Sequence, residues 1–169
     1  RAAAYATPSS CSTSYSGVCS ASSFARAIAA VIGGYVVMFV LVFATFSGAY
    51  LAIGADGAFH PGTYDVSVLW LAMSTVLSIV AALAGGLVCA KISRGGKAPL
   101  ALAILVLVLG LAMAVPVIQA PPSSEARNAE VPNMEAMMKA KSPVWVALLN
   151  PVIGAIGVLA GAKLRKEPS

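Results

Sequence analysis

Residues 66–90 read VSVLWLAMSTVLSIVAALAGGLVCA, a stretch without a single Asp, Glu, Lys, Arg or His. As an α-helix rising 1.5 Å per residue it would extend about 38 Å, enough to cross a hydrocarbon core of ~30 Å. A soluble domain seldom hides so long an uncharged run, so this stretch decides the class of the fold. Within it, Ser74, Ser78, Ala82, Gly86 and Ala90 recur every fourth position. Residues so spaced share one side of a helix, and their small size lets a second helix backbone approach along that side.

Three more runs of this kind lie at 27–53, 100–118 and 144–162, again without Asp, Glu, Lys, Arg or His. The composition agrees: 59% of the 169 residues are hydrophobic, 10% are charged, and mean hydropathy is +0.89. A soluble domain carries roughly a quarter charged residues. A membrane β-barrel would show alternating polarity in segments of about ten residues, and no such alternation occurs. The expected fold is therefore an all-α integral membrane protein, with four transmembrane helices in a compact bundle. The membrane domain spans 26–166 and includes a long loop at 119–143. Residues 1–25, rich in Ser, Ala and Thr, read as a disordered N-terminal segment, and 167–169 as a tail.

Residues 1–25 also lack the apolar stretch of a signal peptide, so the first run is expected to serve as its own insertion signal. The chain opens on Arg1 rather than Met, as a fragment or a processed form would. Cys11 and Cys19 read as incidental thiols, and Cys89 as a small residue of the helix interior.

The basic residues give an orientation. Arg1, Arg26, Lys91, Arg94, Lys97, Lys163, Arg165 and Lys166 all fall on one side of the four-span map. The other side holds Arg127, Lys139 and Lys141 with Asp56, Asp65, Glu125, Glu130 and Glu135. Basic residues in short loops stay cytoplasmic, so both termini are expected inside, in a bacterial inner membrane. The net charge of +5 then follows from topology, with lipid and not nucleic acid as its counterpart. Tyr50, Tyr64, Trp70 and Trp145 fall near the opposite surface, where aromatic side chains anchor helices at the headgroup level.

The stretch 54–70, GADGAFHPGTYDVSVLW, joins the first two spans and carries the chain's single histidine. Asp56, His60 and Asp65 are weak metal candidates, since a structural site wants about four fixed ligands. The preferred reading is a tight turn at His60-Pro61-Gly62, with Thr63 or Asp65 capping the second helix. In the long loop, Pro132 and Asn133 can start a short helix on which Met134, Met137 and Met138 share a face and Glu135 pairs with Lys139. Thioethers suit copper(I), but without a neighbouring His or Cys the methionines read as an apolar stripe resting on the membrane. No resident metal or cofactor is expected.

Gly154, Gly157 and Gly161 form a second small-residue face in the fourth span. Asn150 and Pro151 read as a helix break there, because proline removes a backbone hydrogen bond. Pro116 reads as the end of the third span. The stretch 83–94, LAGGLVCAKISR, is similar to 156–166, IGVLAGAKLRK, as two duplicated hairpins would be.

Function is constrained mainly by exclusion. A proton-driven exporter normally needs a buried carboxylate or histidine, and the spans hold none. A thiol oxidase needs paired cysteines on the outer side, and no P-loop, HExxH or dinucleotide fingerprint occurs. The pattern is similar to that of small bacterial inner-membrane proteins with four helices. The expected role is non-enzymatic, acting by helix–helix or protein association with a second copy or another membrane protein. The alternative is a small transporter or channel with a path beside Asn150 and Pro151.

Overall fold

The computed structural model describes residues 16–94, 96–119 and 132–165, with side chains from residue 24 onward. Five helices follow in order: α1 Ser16–Ala58, α2 Val68–Ser93, α3 Ala98–Gln119, α4 Asn133–Lys139 and α5 Val144–Leu164. All but α4 are long and apolar enough to cross a membrane. The protein is a helical membrane bundle, as the four uncharged runs predict. Residues 1–15, 120–131 and 166–169, and with them parts of the expected N-terminal segment, loop and tail, lie outside the described residues.

α1 starts at Ser16, ahead of the expected 27, so residues 16–25 of the segment read as disordered are helical. Its far end is set by Gly54, at φ 71° and ψ 178°, a conformation open in practice only to glycine. The continuous membrane section therefore stops at Ile53, where the apolar run stops, and 55–58 form one further turn beyond the break.

The turn that follows has the type II pattern, with Pro61 second, Gly62 third at φ 73°, and the Thr63 amide donating to the His60 carbonyl at 3.2 Å. The cap of α2 differs from expectation. Ser67, not Thr63 or Asp65, holds extended backbone angles at the N-cap, and its Oγ accepts from the Trp70 amide at 3.1 Å. The same hydroxyl donates to the Gly57 carbonyl at 2.6 Å, tying the α2 start to the α1 end. Thr63 instead accepts from the Asp65 amide within the turn.

At the other end Arg94 closes α2 in the left-handed region, at φ 52° and ψ 31°. α3 begins four residues later at Ala98 and runs through Pro116 to Gln119, so Pro116 sits inside the last turn and does not end the helix. Although α2 and α3 are joined so directly, they touch little. α5 packs between them, against α2 on one side and α3 on the other, and α1 covers the remaining face of α2.

The interior reverses the usual distribution of sizes. Ala30, Ala82, Cys89, Ala98, Ala103, Leu102 and Val158 form the main core, whereas Leu51, Val68 and Met113 are each over 70% exposed. Large aliphatic side chains outside and small ones inside are what lipid favours, because association there comes from close packing and not from expulsion of apolar groups. The apolar exterior meets the bilayer. A second cluster, Tyr50, Ala58, Phe59, Tyr64, Val66 and Ala136, closes the end of the bundle that carries the 59–67 turn and α4.

Candidate functional site

The most constrained geometry lies on α2, where two adjacent small-residue stripes serve two neighbours. Ala82, Gly86 and Ala90, read from the sequence as one packing face, are buried and meet α5. A Cβ placed on Gly86 would land on the main-chain carbonyl of Val158, and one on Gly161 would land on that of Leu83. A Cβ on Gly157 would come within 2.8 Å of that of Ala82. These contacts are mutual: Leu83 pairs with Gly161 as Val158 pairs with Gly86, and Ala82 with Gly157 lies between them.

This local two-fold relation joins residues 75 positions apart, such as Ala82 and Gly157. The likeness in sequence sets Ala90-Lys91-Ile92 beside Ala162-Lys163-Leu164, 72 apart. The contact is thus shifted by nearly one helical turn from the register of that likeness. Ser74 and Ser78 continue the stripe only half-buried, and the Ser74 hydroxyl donates to the Leu71 carbonyl at 3.1 Å. Gly154 faces α3 rather than α2, against Val106 at 3.2 Å from an added Cβ.

The neighbouring stripe, Ala81, Gly85 and Cys89, is absent from the sequence reading. It meets Gly34 of α1: an added Cβ on Gly34 would lie 2.9 Å from the Gly85 carbonyl, and one on Gly85 2.9 Å from the Gly34 carbonyl. The GlyGly pairs at 33–34 and 85–86 are the signal that could have found it, since two glycines in one helical turn carry a propensity cost that close packing must offset.

Asn150 and Pro151 do not break α5, which is continuous from Val144 to Leu164. Pro151 is buried with its ring against Gly110, 2.6 Å from where a Cβ would sit, and Asn150 is exposed on the outside of the helix. The missing Cβ of Gly110 makes room for the proline ring, so the helix packs without unwinding. The path read beside this pair has no discontinuity to open it.

The capped end brings together residues the sequence places far apart. Tyr50 and Tyr64 are buried rather than lying along the lipid interface. Their rings meet Phe59 edge-on at 6.4 and 5.9 Å between centroids, and Trp70 packs edge-on to both Phe46 and Tyr50. Of the four expected anchors, only Trp145 is largely exposed, at 62%. The Tyr64 hydroxyl donates to Glu135 of α4 at 3.3 Å, and Lys139 reaches the same Glu135 oxygen at 3.2 Å while standing over the Tyr64 ring.

Main-chain bonds complete this cap. The Lys141 amide donates to the Tyr64 carbonyl at 2.9 Å, and the Val66 amide to the Lys141 carbonyl at 3.2 Å. Asn133 donates to the Ser47 hydroxyl at 3.0 Å, joining α4 to α1. Glu135 and Lys139 pair as expected, and Met134, Met137 and Met138 stand exposed on α4.

Asp56, His60 and Asp65 are all exposed, and among the described residues no three His, Cys, Asp or Glu side chains converge on a point that could hold a metal ion. Two threonines inside the membrane section bond to their own helices: Thr45 donates to the Leu41 carbonyl at 2.6 Å and Thr75 to that of Leu71 at 2.7 Å. Set against known proteins, the chain matches no family model, no curated protein and no solved structure.

Proposed function

We propose that this is a non-enzymatic membrane protein that acts by association, and that the associating surface is the exposed strip of α1 around Gly48. The small faces of α2 and α5 are spent inside the bundle, so they are not that surface. One residue carries the reading. Gly33, Gly34, Gly85, Gly86, Gly110, Gly154, Gly157 and Gly161 each have a neighbour within 3.2 Å of an added Cβ, whereas Gly48 has nothing within 4 Å.

Glycine inside a helix costs roughly 0.5–1 kcal/mol relative to alanine. Most of the others recover this by close packing, whereas Gly48 meets no other described residue. Ala44 and Ala52, one turn to either side, are exposed as well, so a flat strip faces lipid along α1. Its occupant is a transmembrane helix, with a second copy of this chain as the simplest source. Lys91, Arg94, Lys97, Lys163 and Arg165 gathered at one end support placing that end in the cytoplasm, with both termini, and the membrane as a bacterial inner membrane.

The test is disulfide cross-linking in native membranes with Gly48→Cys in a chain otherwise lacking cysteine. Cross-linking at position 48 should exceed that at Phe39→Cys, on the opposite side of α1, and the unsubstituted chain should run as an oligomer in mild detergent that Gly48→Ile dissociates. Equal yields at the two positions would overturn the reading.

A further inference from the structure

A cleft of about 610 Å³ opens at the basic end of the bundle, where α2 and α5 terminate and α3 begins. Its rim carries Arg94, Lys163 and Arg165, and its walls include Pro99, Leu100 and Leu159. Among the described residues that line it there is no Asp or Glu. Three cations converge here because two helices that run the same way, α2 and α5, end side by side while α3 starts beside them. One of the three also braces the fold, since the Arg165 guanidinium donates to the Ala90 carbonyl in the last turn of α2, which accepts from the Ser93 hydroxyl at 3.4 Å as well. A guanidinium has five N–H groups, so this bond leaves donors over.

We propose that this cleft binds an anionic phospholipid, its phosphodiester on Arg94, Lys163 and Arg165 and an acyl chain along Leu100 and Leu159. The charge favours a net-negative headgroup, since a zwitterionic one would bring an ammonium among three cations. The position favours a lipid over a soluble phosphate. Leu100 and Leu159 are partly exposed, at 48% and 37%, and continue the apolar wall of the cleft onto the outer surface of the bundle. Basic pockets between transmembrane helices at the cytoplasmic face suit such headgroups.

The full chain in a neutral detergent is the material for the test, with bound lipid counted by native mass spectrometry. Phosphatidylglycerol should be retained at least tenfold better than phosphatidylcholine with the same acyl chains. Lys163→Gln and Arg94→Gln should each lower retention about fivefold, the effect of roughly one basic residue at a membrane surface. Lys91→Gln, which removes an exposed charge at the same end but outside the cleft, should leave retention unchanged. Leu159→Gln should weaken retention with the cations intact, and glycerol phosphate at equal concentration should not displace the lipid.

Equal retention of the two lipids would overturn the proposal. So would an equal effect of Lys91→Gln, which would mean diffuse surface charge. Displacement by glycerol phosphate, or indifference to Leu159→Gln, would assign the cleft to a soluble phosphate and overturn the lipid. Lys163 is exposed on the last turn of α5, so its substitution is compatible with folding, and the preference of the unsubstituted chain is read independently of any variant.

Discussion

Gly86 lies against the main-chain carbonyl of Val158 with no room for a side chain between them. The obstacle is backbone, which can yield only if α2 and α5 move apart. Gly86→Ala gains up to ~1 kcal/mol of helix propensity, while overpacking against a fixed neighbour costs about 1–3 kcal/mol or more. The expected net result is a lower Tm in detergent. Gly33→Ala is the contrast, since its added Cβ meets only the terminal methyl of Ile92, which can turn aside. Gly33→Ala should leave Tm unchanged or raise it, and a Tm unaffected by Gly86→Ala would contradict the α2–α5 contact.

Ser67 and Asp65 compete as the cap of α2, and substitution separates them. Ser67→Ala removes the acceptor for the Trp70 amide and the donor to the Gly57 carbonyl. Loss of an N-cap costs about 0.5–2 kcal/mol, and an unsatisfied partly buried carbonyl adds to that. Asp65→Ala should change thermal stability by less than ~0.5 kcal/mol, as exposed substitutions usually do. A larger effect from Asp65→Ala than from Ser67→Ala would restore the carboxylate as the cap.

Much of this fold is readable from hydropathy alone. Apart from α1, the uncharged runs end within three residues of the helix ends, because a charge in lipid is costly and composition marks the boundary closely. The α2 cap is not readable in this way, because Thr63, Asp65 and Ser67 are all good capping types and only the turn at 60–63 decides which of them meets the first free amides. For Tyr50 and Tyr64, sequence position gives the correct height in the membrane but not the surroundings. Their burial depends on α4 folding back over them, a contact 71 residues distant in sequence between Tyr64 and Glu135. The stripe at 81, 85 and 89 escapes a periodicity argument because α2 is small-rich on two adjoining sides, and spacing cannot say which neighbour each side meets.

Tyr64 should tolerate loss of its hydroxyl better than loss of its ring. Tyr64→Phe gives up a partly exposed hydrogen bond to Glu135, worth about 1 kcal/mol or less. Tyr64→Ala empties a site against Phe59 and α4, at about 3–5 kcal/mol. Limited proteolysis should show cleavage near α4 accelerated by Tyr64→Ala and scarcely by Tyr64→Phe. Matching cleavage rates would mean that the ring does not hold α4 down.

Orientation is open to a direct check. An alkaline phosphatase fused after Lys141 should be active, and one fused after Lys97 inactive, if the basic end faces the cytoplasm. The opposite pattern would reverse the proposed topology and with it the leaflet of the α2–α3–α5 cleft.

The position of α5 between α2 and α3 has a consequence for biogenesis. The ribosome delivers α2 and α3 well before α5, and their short connection holds them at one end with a slot between. During that interval the Gly86 face of α2 and the Gly110 face of α3 border lipid, with no helix backbone to match them. Both faces are covered together only when α5 enters between them. A chain stalled before α5 would display two unmatched grooves, a state open to capture by an insertase or a membrane protease.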